Sequence, residues 1–422
     1  MRRLFLQRGL GLALLLGLVI AVTLSSMRYL RRPPVRVGVL HSLTGTMALS
    51  EAPVMRATQL AIEELNEAGG VLGRPVEAVV VDGGSDWPTF AREAERLLAE
   101  EKVSALFGCW TSSCRGSVRP VVERHRSLLF YPLQYEGLEE SAHVVYTGAT
   151  PNQQIIPALS WSVERFGPRV FLVGSDYLFP RAANALIRDH LQLLRGTVVG
   201  EEYLPLGTVQ VEEVVRRISA VKPDFIFSTL NGGTNQAFFR ALREAGVESK
   251  TTPTMSVSIA EPELRAMKSE WVAGDYAAWN YFQSLPSEAN QAFVDRYKRR
   301  FGVDQVVGDP MEAAYLGVHL WARAVEAAGS AEPGVVRDAL RARALFAPGG
   351  MVYVDPVNLH TWKTPRIGRI RPGGQFELVW SAPSPIRPVP FPVQRTREQW
   401  LEFAERVARG DDTRRSSAGG AP

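Results

Sequence analysis

A chain of 422 residues is longer than one hydrophobic core usually supports, so two domains are expected. Apolar content of 45% and charged content of 22% are those of ordinary globular proteins and exclude a chain disordered throughout. The 48 basic and 44 acidic residues leave a net charge of only +4, and Arg gathers at the two ends (Arg28, Arg31, Arg32; Arg406, Arg409, Arg414, Arg415), which argues against nucleic acid as a partner.

At the start, Arg2, Arg3 and Arg8 precede an uncharged run from Gly9 to Met27 rich in Leu, Val and Ala. A positive stretch followed by an apolar run is the pattern of an export signal, and the run is close to the roughly 20 residues that span a bilayer. It holds no small-x-small site ending in Ala and no Cys at its end for lipid, and Arg28, Arg31 and Arg32 flank its far side. Residues 1–34 therefore read as a signal or as an uncleaved membrane anchor, and the remainder is expected outside the cytoplasm, in the periplasm.

After Pro33-Pro34 short apolar runs alternate with amphipathic ones. Val35 to Leu40 reads as a buried strand, Met55 to Ala68 as a helix stopped by Gly69-Gly70, and Val76 to Val81 as a strand. Thr89 to Ala99 follows as a helix, then strands at Ser104 to Phe107 and Leu128 to Tyr131 with a helix between them from near Ser112. A second series has strands at Val170 to Val173, Val198 to Tyr203 and Asp224 to Thr229. Its helices are Pro180 to Leu194, Val211 to Val221 and Asn235 to Ala245. Long helices are expected near Ser287 to Phe301 and Pro310 to Ala328, short strands and turns over Gly349 to Trp380, and one short helix over Thr396 to Arg409. Alternating strand and helix implies an α/β fold with parallel sheets covered on both faces, here two doubly wound lobes. From Ser381 the chain is Pro-rich and is expected to be a disordered tail through Pro422.

Cys109 and Cys114 are too few for a structural metal site, and no metal is expected. They read either as two small buried thiols, the reading preferred, or as a short-loop disulfide in an oxidising compartment. Of the histidines, His41, His125, His143, His190, His319 and His360, none falls in a signature with Cys109 as nucleophile. No Gly-x-Ser-x-Gly elbow, Walker loop or metal-binding His pair is present, so a binding protein without cofactor is expected, not an enzyme.

Ligands of open parallel sheets sit beyond the carboxyl ends of the strands. The residues there are rich in hydroxyls, amides and aromatics: His41-Ser42-Leu43-Thr44, Gly108-Cys109-Trp110-Thr111-Ser112, Tyr131-Pro132-Leu133-Gln134-Tyr135-Glu136-Gly137, Gly174-Ser175-Asp176-Tyr177 and Leu230-Asn231-Gly232. They contain no Lys or Arg, which disfavours a phosphate and favours a small, neutral, planar, polar guest. Each also has a plainer reading, because Ser, Thr, Asn and Asp after a strand often cap the next helix.

The same stretches resemble the urea-binding proteins of ABC importers, within the urea and short-chain amide branch of the type I periplasmic-binding family. So do Asp86-Trp87-Pro88-Thr89-Phe90, Pro151-Asn152-Gln153-Gln154, Glu202-Tyr203-Leu204-Pro205-Leu206-Gly207 and Asn358-Leu359-His360-Thr361-Trp362-Lys363, and the likeness runs from about Val35 to Leu378. It implies the type I periplasmic-binding fold, two lobes joined by a hinge, with crossings near Thr147, Asn280 and Gly349. Lobe 1 would hold residues 35–147 and 281–348, and lobe 2 residues 148–280 and 349–380. It places Trp110, Ser112 and Tyr131 in the amide pocket with Tyr177 from the second lobe, and brings the crossing segment with Asp275 toward the cleft. The amide-sensing regulators of the group have Thr-Pro where this chain has Leu133-Gln134, and a second Tyr where it has Phe179, so the urea side is favoured and Gln134 becomes a candidate acceptor. With Thr44, Thr111, Asp176 and Asn231 from the strand ends, these are the candidate ligand contacts. The function implied is capture of urea for an ABC permease by hinge closure, and the alternative is a short-chain amide sensor in signalling or regulation.

Overall fold

The computed structural model describes Gly17 and residues 33–410. The expected export segment up to Arg32 and the last residues of the expected tail lie outside them. The first lobe is built on β1 (Val35–His41), β2 (Val76–Asp82), β3 (Leu106–Gly108), β4 (Leu129–Tyr131) and β5 (Val144–Tyr146). They form one parallel sheet in the order β2-β1-β3-β4-β5. Successive residues of β1 serve opposite faces: Val35, Val37 and Val39 pack with Ala61, Ile62 and Trp321, whereas Leu40 packs with Leu97 and Leu106. Burial on both faces from Val37 to Leu40 explains why the strand reads as an apolar run broken only by Arg36 near its start.

The helix Trp87–Ala99 illustrates how local sequence sets the elements. Asp86 accepts from Thr89 N at 3.0 Å as its cap, Pro88 occupies the first turn, and Phe90, Ala94, Leu97 and Leu98 form its buried face. The first helix differs from expectation: it spans Ala48–Glu67, starting well before Met55. Pro53 hides that start from a reading by breakers, although a proline near a helix start removes only one N–H bond.

The second lobe carries β6 (Arg169–Ser175), β7 (Thr197–Leu204), β8 (Phe225–Thr229), β9 (Thr254–Ser256) and β10 (Tyr276–Trp279). Beyond a three-stranded sheet of β11 (Ala344–Ala347), β12 (Gly350–Val354) and β13 (Thr361–Trp362), the chain adds β14 (Arg366–Ile370) and β15 (Phe376–Ser381) to the second sheet. Its order is β15-β14-β10-β9-β8-β6-β7, parallel from β7 to β10 and antiparallel through β14 and β15. The fold is thus the expected α/β arrangement of two lobes.

Two boundaries fall elsewhere than expected. Leu345, Ala347, Val352, Val354 and Leu359 pack with Phe107 and Trp321 of the first lobe. The third crossing therefore lies between Trp362 and Arg366, not near Gly349, and residues 349–362 belong with the first lobe. Residues 381–410, expected within a Pro-rich disordered tail, are ordered; the short helix expected over Thr396 to Arg409 is present as Arg397–Ala408 and buries Trp400 and Phe403 against Leu186 and Ile187 of the second lobe. Pro-rich composition hid the order of residues 381–396, because the aromatic anchors that fix the strap, Trp400 and Phe403, lie beyond it in the helix.

Candidate functional site

β1, β3 and β4 end side by side, so their following loops share one edge. Gly108 at the end of β3 lies so close to β1 that an added Cβ would sit 1.9 Å from the Leu40 carbonyl oxygen. Only glycine permits that approach. The chain then turns through Cys109, whose backbone is left-handed (φ 64°) and whose N–H donates to Leu40 O at 3.1 Å. Thr111 caps the helix Ser112–Arg124 by accepting from Cys114 N at 3.1 Å. Cys109 and Cys114 form a disulfide, with Cα atoms 5.7 Å apart. The preferred expectation of two free thiols is corrected: the turn and the first helical residues bring the two side chains together.

This turn presents Trp110 and Ser112, both buried, beside the end of β4. The Tyr131 hydroxyl donates to the Trp110 carbonyl at 2.5 Å, tying the two aromatic candidates together. The Ser112 hydroxyl donates to Glu136 Oε2 at 2.5 Å. Glu136 Oε1 accepts from Arg115 Nη2 at 2.5 Å, and Arg115 Nε reaches Glu139 Oε1 at 3.1 Å. The guanidinium lies 4.9 Å and 4.6 Å from the Tyr131 and Tyr135 ring centres. Arg115 and Glu136 are 2% and 1% exposed, so this is a buried, charge-matched pair of the kind that needs close geometry to persist. Sequence reasoning passed over both. Glu136 stood in a stretch already singled out, but a carboxylate and a hydroxyl 24 residues apart give no spacing signal.

Behind the pair, Tyr135, Tyr146 and His360 stack, with centroids 5.1 Å and 4.0 Å apart. His360 Nδ1 faces the Asn358 carbonyl at 2.8 Å, so it carries the proton, and Nε2 accepts from Tyr135. Burial holds His360 down to about 3, so it is neutral.

The second lobe supplies Tyr177, at the start of the helix Leu178–Leu193. Burial pushes its phenol well above the ordinary range, reinforced by Tyr131 and the Glu136 carboxylate and opposed by Arg115. The helix that Tyr177 opens lies against the helix Ser112–Arg124 of the first lobe. Gln134 Nε2 donates to the Val257 carbonyl of the second lobe at 3.0 Å, while its Oε1 is buried without a partner. Ser50 Oγ donates to Glu263 Oε1 at 2.8 Å, and Leu206 packs into the first lobe's core, so the lobes are closed on each other.

Not every candidate joins this group. Asn231 is buried at the end of β8, but its Nδ2 folds back to the Thr229 carbonyl at 3.2 Å. Thr44 is exposed and donates to Asp82 Oδ2 at 2.7 Å. Asp176 is also exposed and pairs with Arg181 at 2.7 Å. Asp275 sits at the start of β10, the edge opposite the cleft, where it pairs with Arg243 and accepts from Thr254 N at 2.8 Å. Its assignment to the site is corrected: it stands at the wrong end of a strand that runs toward the crossing.

Among the described residues, no helix is long and apolar enough to cross a membrane and no group of three or more His, Cys, Asp or Glu is placed to hold a metal ion.

Comparison with known proteins covers most of the chain. A "Leu/Ile/Val-binding protein homolog 6" of Brucella melitensis is 23% identical over 333 residues, 77% of this chain and 85% of that protein. A "Limonene hydroxylase" of Geobacillus stearothermophilus is 32% identical over only 125 residues, and the chain spans 23% of that protein's length. Among solved structures, an ABC-transporter solute-binding protein of Rhodopseudomonas palustris in complex with 3,4-dihydroxybenzoic acid aligns with a TM-score of 0.76 at 22% identity, covering 82% of this chain and 96% of that one. A branched-chain amino acid transporter substrate-binding protein of Streptococcus pneumoniae in complex with isoleucine aligns with a TM-score of 0.73 at 19% identity, covering 83% and 99%. These structures share the fold. The profile of the periplasmic binding protein domain family matches residues 35–397, so the chain is a binding protein, not an enzyme, and belongs to that family.

Proposed function

We propose that this chain is the extracytoplasmic solute-binding component of an ABC importer and that its cleft takes a small, neutral, planar amide, urea foremost. The charge balance of the cleft wall carries this reading. Arg115, the buried cation there, is already matched by Glu136 at 2.5 Å and Glu139 at 3.1 Å. A carboxylate such as the benzoates or amino acid of the related structures would meet two carboxylates and no unmatched cation, and burying an uncompensated charge is costly. A neutral guest avoids that cost. Urea offers one carbonyl acceptor and about four N–H donors, by analogy with primary amides. Gln134 Oε1 and the Glu136 carboxylate are acceptors suited to such donors, and Trp110, Tyr131 and Tyr177 are flat walls suited to a planar molecule.

Closure around the guest would exclude water, strengthen these bonds and give a permease a distinct shape to recognise. Thermal-shift and calorimetric titration of the purified protein with urea, thiourea, formamide, acetamide, isoleucine and 4-hydroxybenzoate tests the reading. Urea or a short amide should raise the melting temperature, by the equivalent of about 2.7 kcal/mol at a hundred-fold excess over Kd. Stabilisation by the acids with none by the amides would remove it.

A further inference from the structure

We infer that Glu136 sets the charge of the ligand: its carboxylate both receives a ligand N–H and occupies the place on Arg115 that a ligand carboxylate would otherwise take. This rests on the amide reading above and names the residue that enforces it. Glu136 belongs to the loop after β4, on the edge where Trp110 and Ser112 also lie, and its two oxygens are bridged to Ser112 Oγ and Arg115 Nη2, each at 2.5 Å. Each carboxylate oxygen has two lone pairs, so one acceptor position on each remains.

Arg115 is only half used. Its Nη1 is buried with no hydrogen-bond partner, and the guanidinium lies against two tyrosine rings that leave its edge as the route to a polar group. A guanidinium is a preferred receiver of carboxylates, and here Nη2 is held by Glu136 at 2.5 Å and Nε by Glu139 at 3.1 Å. Glu136 supplies that carboxylate from the protein itself. The neighbouring charges close the balance: Arg119 lies 3.6 Å from Glu139 Oε2 and 4.0 Å from Glu123 Oε1, and Glu140 is spent on Arg397 at 3.1 Å. Without the Glu136 charge, Arg115 would be left with Glu139 alone, a carboxylate that Arg119 also approaches at 3.6 Å. The half-buried Tyr177 opens a helix of the second lobe that lies against the helix carrying Arg115.

The test is calorimetric titration of Glu136→Gln and Glu136→Asp beside the wild type, with urea, acetate and benzoate as probes and circular-dichroism melting as the check on folding. Glu136→Gln should lose about ten-fold or more in urea affinity, the worth of one charge-assisted hydrogen bond, and should acquire acetate or benzoate binding that the wild type lacks. Glu136→Asp, which keeps the charge, should still refuse both acids. A folded Glu136→Gln that binds no acid, or a Glu136→Asp that does, overturns the inference while leaving urea binding by the wild type intact. If Glu136→Gln does not fold, a crystal structure of the wild type grown with urea decides: a ligand nitrogen within hydrogen-bond reach of Glu136 supports the inference, and a ligand elsewhere in the cleft overturns it. A wild type that binds no amide at all instead sinks the proposed function.

Discussion

Lys363 Nζ, just before the strand that re-enters the second lobe, lies 3.5 Å from Glu312 Oε2 on the long helix Asp309–Ala328 of the first. The segments that cross between lobes converge on this pair. Lys363 donates to the Thr147 carbonyl at 3.1 Å, Glu312 Oε1 accepts from Gly349 N at 3.1 Å, and Arg366 donates to the carbonyls of Asn280 and, at 2.8 Å, Gly349. Burial pushes the Glu312 carboxyl up, and the Lys363 charge opposes that.

Lys363→Met is expected to cost about 3–5 kcal/mol, because it leaves Glu312 buried and unpaired. Replacing Glu312 by Leu in the same chain should recover part of the loss. Guanidinium melts are the right measurement, since urea is the proposed ligand. A double variant no more stable than the sum of the singles predicts would show that the two charges do not act together.

Stability should fall as pH rises from about 4.5 to 8. Burial raises the Glu261 carboxyl to about 8, and likewise lifts Asp275 to about 7 against the opposing pull of Arg243. Each group holds its proton in the folded state where the unfolded chain has released it. Their contribution is complete below the unfolded values, 4.5 and 3.8, and is lost as pH climbs through the folded ones. His360, held down to about 3, acts in the opposite sense and favours the folded state as pH rises toward 6.5. Glu261→Gln should therefore flatten the pH profile between about 4.5 and 8, by up to about 1.4 kcal/mol per pH unit. An unchanged slope in that variant would remove Glu261 as the cause.

Reducing the Cys109–Cys114 disulfide should lower stability by about 2 kcal/mol, the loop-entropy value for so short a ring. It should also weaken ligand binding, since Trp110, Thr111 and Ser112 lie inside the ring. Melting and titration with and without reductant, beside Cys109→Ser/Cys114→Ser, check both effects. Identical affinity in the reduced protein would mean that the helix cap at Thr111 holds the loop unaided.

The alternation of apolar runs and amphipathic segments made the two lobes legible, because buried parallel strands such as Val35–His41 and capped helices such as Trp87–Ala99 carry their signals within a dozen residues. What escaped depends on distant partners. The three-residue strand Val144–Tyr146 is too short to show a period and exists through its pairing with β4. The helix Ile155–Phe166 was hidden behind the Pro-Asn-Gln-Gln stretch that precedes it. At the candidate site, the sequence offers Trp110, Ser112 and Tyr131 by their place at strand ends and the fold brings them to one edge, but Arg115 lies inside a helix, and Glu136 gains meaning only when the fold sets it against Arg115. Asp275 was misplaced because its strand's direction, not its composition, decides which edge it occupies.

The strap formed by residues 381–410 predicts a second site of instability. Trp400 is 1% exposed, its Nε1 donates to the Pro392 carbonyl at 2.7 Å, and the Arg395 guanidinium lies 4.5 Å from its ring centre. Trp400→Ala should cost about 3–5 kcal/mol and expose the apolar face of the helix Leu178–Leu193. Because that helix begins next to Tyr177, hydrogen exchange should quicken along it in the variant. Unaltered protection would show that the strap only covers the lobe and does not brace the cleft.

Tyr177→Ala separates binding from folding. The ring is half-buried and packs at the margin of the second lobe's core beside Phe179, so its removal should lower the stability of the ligand-free protein by about 1–3 kcal/mol and leave it folded. Affinity for the ligand should fall about ten-fold or more, because an aromatic wall and a hydroxyl are both lost. Tyr177→Phe keeps the wall and should recover most of the loss if stacking dominates, or little if the hydroxyl bonds the guest. Equal affinity in all three proteins would place the ligand away from the second lobe's helix start, and closure would then have to be driven through Gln134 and Val257.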